Sequence, residues 1–159
     1  MKHTFVVDEN ILICGARGVD EHDKDDDTSS LFLTWLLKNC HIIMVDPYII
    51  KKYRQRLLQL QVEAKKSFID QQMLTVLSHI VFHHDKLIEF GNSVTPDVDL
   101  GPIPRKDREL AKLAYHLGLS VVTLDERLRS SINEHPSFMV KNLSALHPRD
   151  ALKIVKENQ

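Results

Sequence analysis

Three aspartates stand where chemistry would need them. Asp8 closes the apolar run FVVD and is followed by Glu9 and Asn10; Asp125 closes SVVTLD, two residues after Thr123. Asp107 lies in RKDREL, ahead of an apolar-periodic segment. Carboxylates brought together repel one another unless a cation shares them. An all-oxygen set of this kind suits hard divalent ions such as Mg2+ or Mn2+, which keep several of their waters. Each residue also has a plainer use. Asp and Asn accept hydrogen bonds from the free amides of a first helical turn, and acids are favourable near the positive end of a helix. The residues alone leave cap and ligand both open.

The segments between these acids decide whether they can meet. TFVV (4–7) reads as a short buried strand, and NILICGA starts a helix. The acidic stretch 19–30 interrupts, with 20–27 expected to be a mobile, solvated loop. A helix over 29–39 follows, capped by Ser29 or Ser30. HIIMV (41–45) is the second strand. Asp46-Pro47 opens a helix with a cap followed by proline at the first helical position, running through YIIKKYRQRLLQL, and a further helix covers about 62–80. A proline- and glycine-bearing loop spans 91–104. Over 105–118, Leu110, Leu113, Ala114 and Leu117 repeat at helical spacing and Gly118 ends the helix. SVVTL (120–124) is a third strand, DERLRSSI a short helix, SFMV (137–140) a fourth strand, and 148–157 a closing helix. Strands separated by helices imply parallel pairing through right-handed crossovers. The expectation is one α/β domain over 1–159, three layers deep (α/β/α), with a central, mainly parallel sheet of about four to five strands. Asp8 and Asp125 then fall at the carboxyl ends of parallel strands, where open α/β sheets place their ligands. The helix–turn–strand path returns Asp107 toward the same sheet edge.

Composition narrows the classes. Apolar residues make up 43% and charged residues 27% of the 159, the balance of a soluble globular domain with a substantial core. No apolar run approaches a bilayer span and no basic-then-apolar leader opens the chain. Two cysteines without CxxC spacing suggest neither a disulfide framework nor a zinc knuckle, and a reducing cytoplasm is expected. His83 and His84 lack a third ligand at useful spacing for zinc. A net charge of −1 provides no global basic field, so nucleic-acid binding would need a local basic face. Lys51, Lys52, Arg54, Arg56, Arg105, Lys106 and Arg108 could form one, or be a solvated helix surface. Trp35 with Leu33, Leu36 and Leu37 reads as core or as a dimer surface.

FVVDENILI, RKDRELAKLAYHLG and SVVTLDERL together resemble the motifs of the PIN domain family, small nucleases related to flap endonucleases. The likeness covers nearly the whole chain. It implies Asp8, Asp107 and Asp125 as catalytic and metal-holding acids, Asn10 and Thr123 as residues orienting ligands or water, and Mg2+ or Mn2+ as cofactor. It also implies hydrolysis of RNA phosphodiester bonds, and, in toxin-type members, an antitoxin or other protein partner. The family's second acid falls on the helix after the second strand, and the residue aligned with it here is Lys52. A lysine there neutralises part of the carboxylate cluster. Asp46 or Glu9 would be the candidate substitutes, although Asp46 is more simply a cap.

Other classes compete. A degenerate PIN domain that binds RNA or protein without cutting would explain Lys52. A receiver-type signalling domain would use VVDEN as its acidic pair and Asp46 as phosphoacceptor, yet needs another strand between them and a Lys-Pro after a late strand. A haloacid-type phosphatase wants a second Asp where Asn10 stands.

Overall fold

The computed structural model describes residues 2–83, 85–91 and 97–157. His84, and residues 92–96 of the expected 91–104 loop, lie outside this set. Strand β1 (Thr4–Val7) is followed by α1 (Glu9–Arg17) and α2 (Thr28–Lys38). Next come β2 (Ile42–Val45), α3 (Pro47–Glu63), α4 (Gln71–Phe82) and β3 (Leu87–Glu89). A single 3-10 turn, Arg105–Asp107, leads into α5 (Arg108–Leu117) and then β4 (Ser120–Val122). The chain closes with α6 (Glu126–Asn133), α7 (Pro136–Val140), β5 (Ala145–Leu146) and α8 (Pro148–Lys156).

The five strands form one sheet in the order β3-β2-β1-β4-β5, and every pairing is parallel. Helices flank the sheet in a three-layer α/β arrangement. Adjacent residues Val6 and Val7 are both fully buried, as are Val121 (1% exposed) and Val122. Continuous burial of neighbouring residues, which point to opposite faces, requires cover on both sides of the sheet. Ile11 and Leu12 of α1, Leu33 and Leu36 of α2, and Leu113 and Ala114 of α5 are buried in the same core. At the α1–α2 contact Gly15 allows close approach, because a Cβ there would come 2.9 Å from Leu33 Cδ1. Gly118 ends α5 at φ +67°, donating its amide to the Ala114 carbonyl, the left-handed close expected of a terminal glycine.

The strand order places the site. The chain first works outward from β1 through β2 to β3, then returns to put β4 on the other flank of β1. The reversal lies between β1 and β4, and a crevice opens at the carboxyl ends of strands at such a switch point. Pairing of Val7 with Val122 sets Asp8 beside the residues that follow β4, and the Asp8 amide donates to the Val122 carbonyl at 2.9 Å.

Several expectations are corrected. SFMV is not a strand. His135 and Pro136 open α7 instead, with His135 accepting from the Ser137 amide. Only Phe138 turns inward, while Met139 is 59% and Val140 87% exposed. The fourth and fifth strands are the short β3 and β5. The helix expected at 62–80 is displaced: α3 runs on to Glu63, and α4 starts after Asp70, which caps it by accepting from the Gln72 amide at 2.8 Å. Neither Ser29 nor Ser30 caps α2. The helix starts at Thr28, whose amide is held by Asp26 Oδ1 at 2.7 Å. The acidic 20–27 loop is exposed for much of its length but is closed by bonds, since Asp20 Oδ1 accepts from the amides of His22 and Lys24. Among the described residues no helix is long and apolar enough to cross a membrane.

Candidate functional site

A cleft of about 230 Å³ opens at the switch point. Its walls carry Asp8, Asp107 and Asp125 together with Asn10, and also Glu9, Lys52, Arg56 and Lys106. The three aspartates named from the sequence are therefore brought to one place by β1, β4 and the turn before α5. They differ sharply in environment.

Asp8 is 8% exposed and makes no close capping bond to α1, although the Asn10 amide in the first turn of that helix favours its ionised form. Its Oδ2 accepts from Thr123 Oγ1 at 2.7 Å. That hydroxyl in turn accepts from the Asp125 amide at 3.1 Å and lies 3.5 Å from Asn10 Nδ2. One donor and two acceptor sites of the threonine are thereby all in use, and Thr123 fixes Asp8 relative to both neighbours. Below them, the Tyr53 hydroxyl donates to the Val7 carbonyl and anchors the end of β1. Burial raises the Asp8 carboxyl from 3.8 to about 6, outweighing the Thr123 hydrogen bond, and the Asp107 charge pushes the same way. Burial likewise holds the Tyr53 hydroxyl well above its ordinary value, with Asp8 adding to the effect.

Asp107 is 9% exposed, and its Oδ2 is buried without a hydrogen-bond partner. It sits in the 3-10 turn ahead of α5 rather than inside the first turn of that helix, and its side chain caps nothing. Burial raises its carboxyl, against the lowering pull of the Lys106 ammonium. Asn10 Oδ1 is the second buried oxygen without a partner. Buried polar atoms are almost always paired, so two orphan acceptors on the walls of one cleft mark a place for a cation or a donor.

Asp125 does cap its helix, accepting from the Leu128 amide at 3.1 Å. Burial opposes ionisation here, but the Leu128 amide and Lys106 prevail and hold its carboxyl below the usual range. Lys106 Nζ lies 3.4 Å from Asp125 Oδ2, and Asp107 is the largest influence raising the lysine's own pKa.

The other sequence candidates fall on both sides of the site. Lys52 lines the cleft from α3, with its ammonium 4.7 Å from the centroid of the Tyr48 ring. Arg56 lines it too and pairs through Nε with Oε2 of Glu9 at 3.1 Å. Asp46 accepts from the Ile49 amide at 2.7 Å and is a helix cap outside the cleft wall. Arg108 turns to the carbonyls of Ile103 and Gly101. Lys51, Arg54 and Arg105 are exposed and take no part in the cleft lining. Glu21 and His22 of the acidic loop share a neighbouring cavity with Asn10 and Asp125. The Lys106–Asp125 and Arg56–Glu9 pairs carry no local sequence signal, because they join residues 19 and 47 apart.

Among the described residues, no three His, Cys, Asp or Glu side chains form a group that could by itself hold a metal ion. What fits a hard divalent ion is the donor chemistry: carboxylate oxygens on one cleft, one of them buried and unpartnered.

Comparison with known proteins adds little to this geometry. No protein-family model matches the chain, and no curated protein sequence matches it. Among solved structures, a PilT N-terminus domain protein from the archaeon Sulfolobus solfataricus P2 is similar at a TM-score of 0.46 and 12% sequence identity, over 98% of this chain and 96% of that one.

Proposed function

We propose that the chain is a metal-dependent phosphodiesterase of the PIN type acting on RNA. The observation that carries this reading is the buried, unpartnered Asp107 Oδ2 on a cleft shared with Asp8 and Asp125. Oxygens of Asp8, Asp107 and Asp125 would hold Mg2+ or Mn2+, with water completing the coordination, as such ions commonly retain it. Bound there, the ion supplies Lewis acidity toward a phosphoryl oxygen and a water of lowered pKa.

The chain's own residues do the rest. Thr123 holds Asp8 in one orientation, which is the part a supporting hydrogen bond plays around metal ligands. Asn10 lines the cleft, and its buried Oδ1 has no hydrogen-bond partner. Lys52, Arg56 and Lys106 on the walls provide positive charge for phosphate oxygens whose charge rises during displacement. Single-stranded RNA follows from the sequence resemblance.

A non-catalytic relative is the second reading, and the Lys106–Asp125 contact favours it: an ammonium already neutralises one of the three acids. Incubating 5′-labelled single-stranded RNA with Mn2+ and the parent chain, beside Asp8→Asn prepared identically, separates the two. Cleavage by the parent that is lost in Asp8→Asn supports the nuclease. No cleavage by either, with Mn2+ still bound, supports the non-catalytic reading.

A further inference from the structure

We propose that Lys106 is a built-in counter-cation that occupies the acidic cleft in the metal-free protein and must leave Asp125 before a divalent ion can use that carboxylate. The proposal rests on the metal-site reading above and concerns how that site is regulated.

Three observations carry it. First, the Lys106 ammonium is 3.4 Å from Asp125 Oδ2, on the same cleft as the unpartnered Asp107 Oδ2. Clustered carboxylates need a cation, and among the described residues Lys106 is the one ion-paired to an aspartate of the three. Lys52, the residue singled out by sequence, rests over the Tyr48 ring and acts on Asp107 only through its charge.

Second, the lysine side chain is 72% exposed while Asp125 is 24% exposed. The carboxylate is fixed by its cap bond from Leu128, whereas the ammonium is a point charge on a flexible four-carbon stem. Displacement therefore moves Lys106 and leaves the frame intact. Exposed ion pairs contribute little net energy, so this one is weak enough for a divalent ion to break.

Third, there is somewhere for the ammonium to go. A cavity beside the cleft is lined by Lys106 together with Lys52, Arg56 and Glu9, the last paired with Arg56. A released Lys106 gives that wall three cations against one carboxylate, in a position to meet an anionic ligand. Metal entry and anion binding would then favour each other, because each draws on the same movement and coupling between sites is reciprocal.

Isothermal titration of Mn2+ into the parent, Lys106→Met, Lys106→Arg and Lys52→Met chains, each checked for folding by circular dichroism, tests this without reference to activity. Lys106→Met is expected to bind Mn2+ about fivefold more tightly than the parent, the upper end of what an exposed pair can withhold. Lys106→Arg keeps the charge and is expected to match the parent, and Lys52→Met to change less than Lys106→Met. Equal affinity of parent and Lys106→Met overturns the proposal while leaving the metal site standing. Absence of Mn2+ binding in all four chains overturns the metal-site reading and the proposal with it.

Discussion

Replacing Asp8 by asparagine should stabilise the metal-free protein at neutral pH, although it removes a residue central to the site. Asp8 is buried, and its carboxyl is raised from 3.8 to about 6. The folded state therefore holds a proton between those values that the unfolded state has released. The unfolding free energy then falls as pH rises from about 4 to about 6 and levels off above that, because stability declines wherever the native state binds more protons. At about 1.4 kcal/mol per pH unit, the rise corresponds to about 3 kcal/mol of stability withheld at pH 7. Asparagine removes the charge and still offers a carbonyl oxygen to Thr123 Oγ1. Urea unfolding of both chains in EDTA, between pH 4 and pH 8, reads the difference. The variant should be more stable above pH 6 by up to about 3 kcal/mol, with the gap closing toward pH 4. Saturating Mn2+ should reverse the order, because a ligand bound only by the folded parent stabilises it by mass action. A parent–variant gap that does not change with pH would refute the assignment of a buried carboxyl with a raised pKa to Asp8.

Thr123→Val should destabilise the metal-free protein by about 1–3 kcal/mol, the cost of leaving the buried Asp8 Oδ2 without its donor; thermal melts against Thr123→Ser, expected to behave nearly as the parent, check this. Tyr53→Phe removes the donor to the Val7 carbonyl and should cost about 1 kcal/mol in urea unfolding, with a measurable drop in Mn2+ affinity because the end of β1 loses its anchor. Gly118→Ala should cost about 1 kcal/mol, since α5 closes there at φ +67°; a neutral result would mean the turn is not held in that conformation.

Much of the frame was legible because its signals are local. The alternation of FVV and SVV runs with periodic helices implies parallel pairing, and the Asp46-Pro47 and Gly118 boundaries follow from capping and terminal-glycine chemistry. The failures have physical reasons. β3 and β5 are three and two residues long, too short to show a period, and sheet pairing alone defines them. SFMV has strand-like composition, yet His135-Pro136 starts a helix that needs only Phe138 inside. The placement of Asp8, Asp107 and Asp125 on one cleft was legible because strand ends and helix starts are readable positions. The cation among them was not. Lys106 meets Asp125 only through the path of α5 and β4, and the residue alignment pointed to Lys52, which faces the same cleft but holds to Tyr48.

The central claim is that one divalent ion is held among Asp8, Asp107 and Asp125. Anomalous difference density from a crystal of the parent chain soaked in millimolar Mn2+ tests it most directly. The account predicts a peak within coordinating distance of Asp107 Oδ2 and of at least one oxygen of Asp8 or Asp125, with Lys106 withdrawn from Asp125 and the peak lost in Asp107→Asn. A cleft without a peak, or a peak that avoids Asp107, would contradict it.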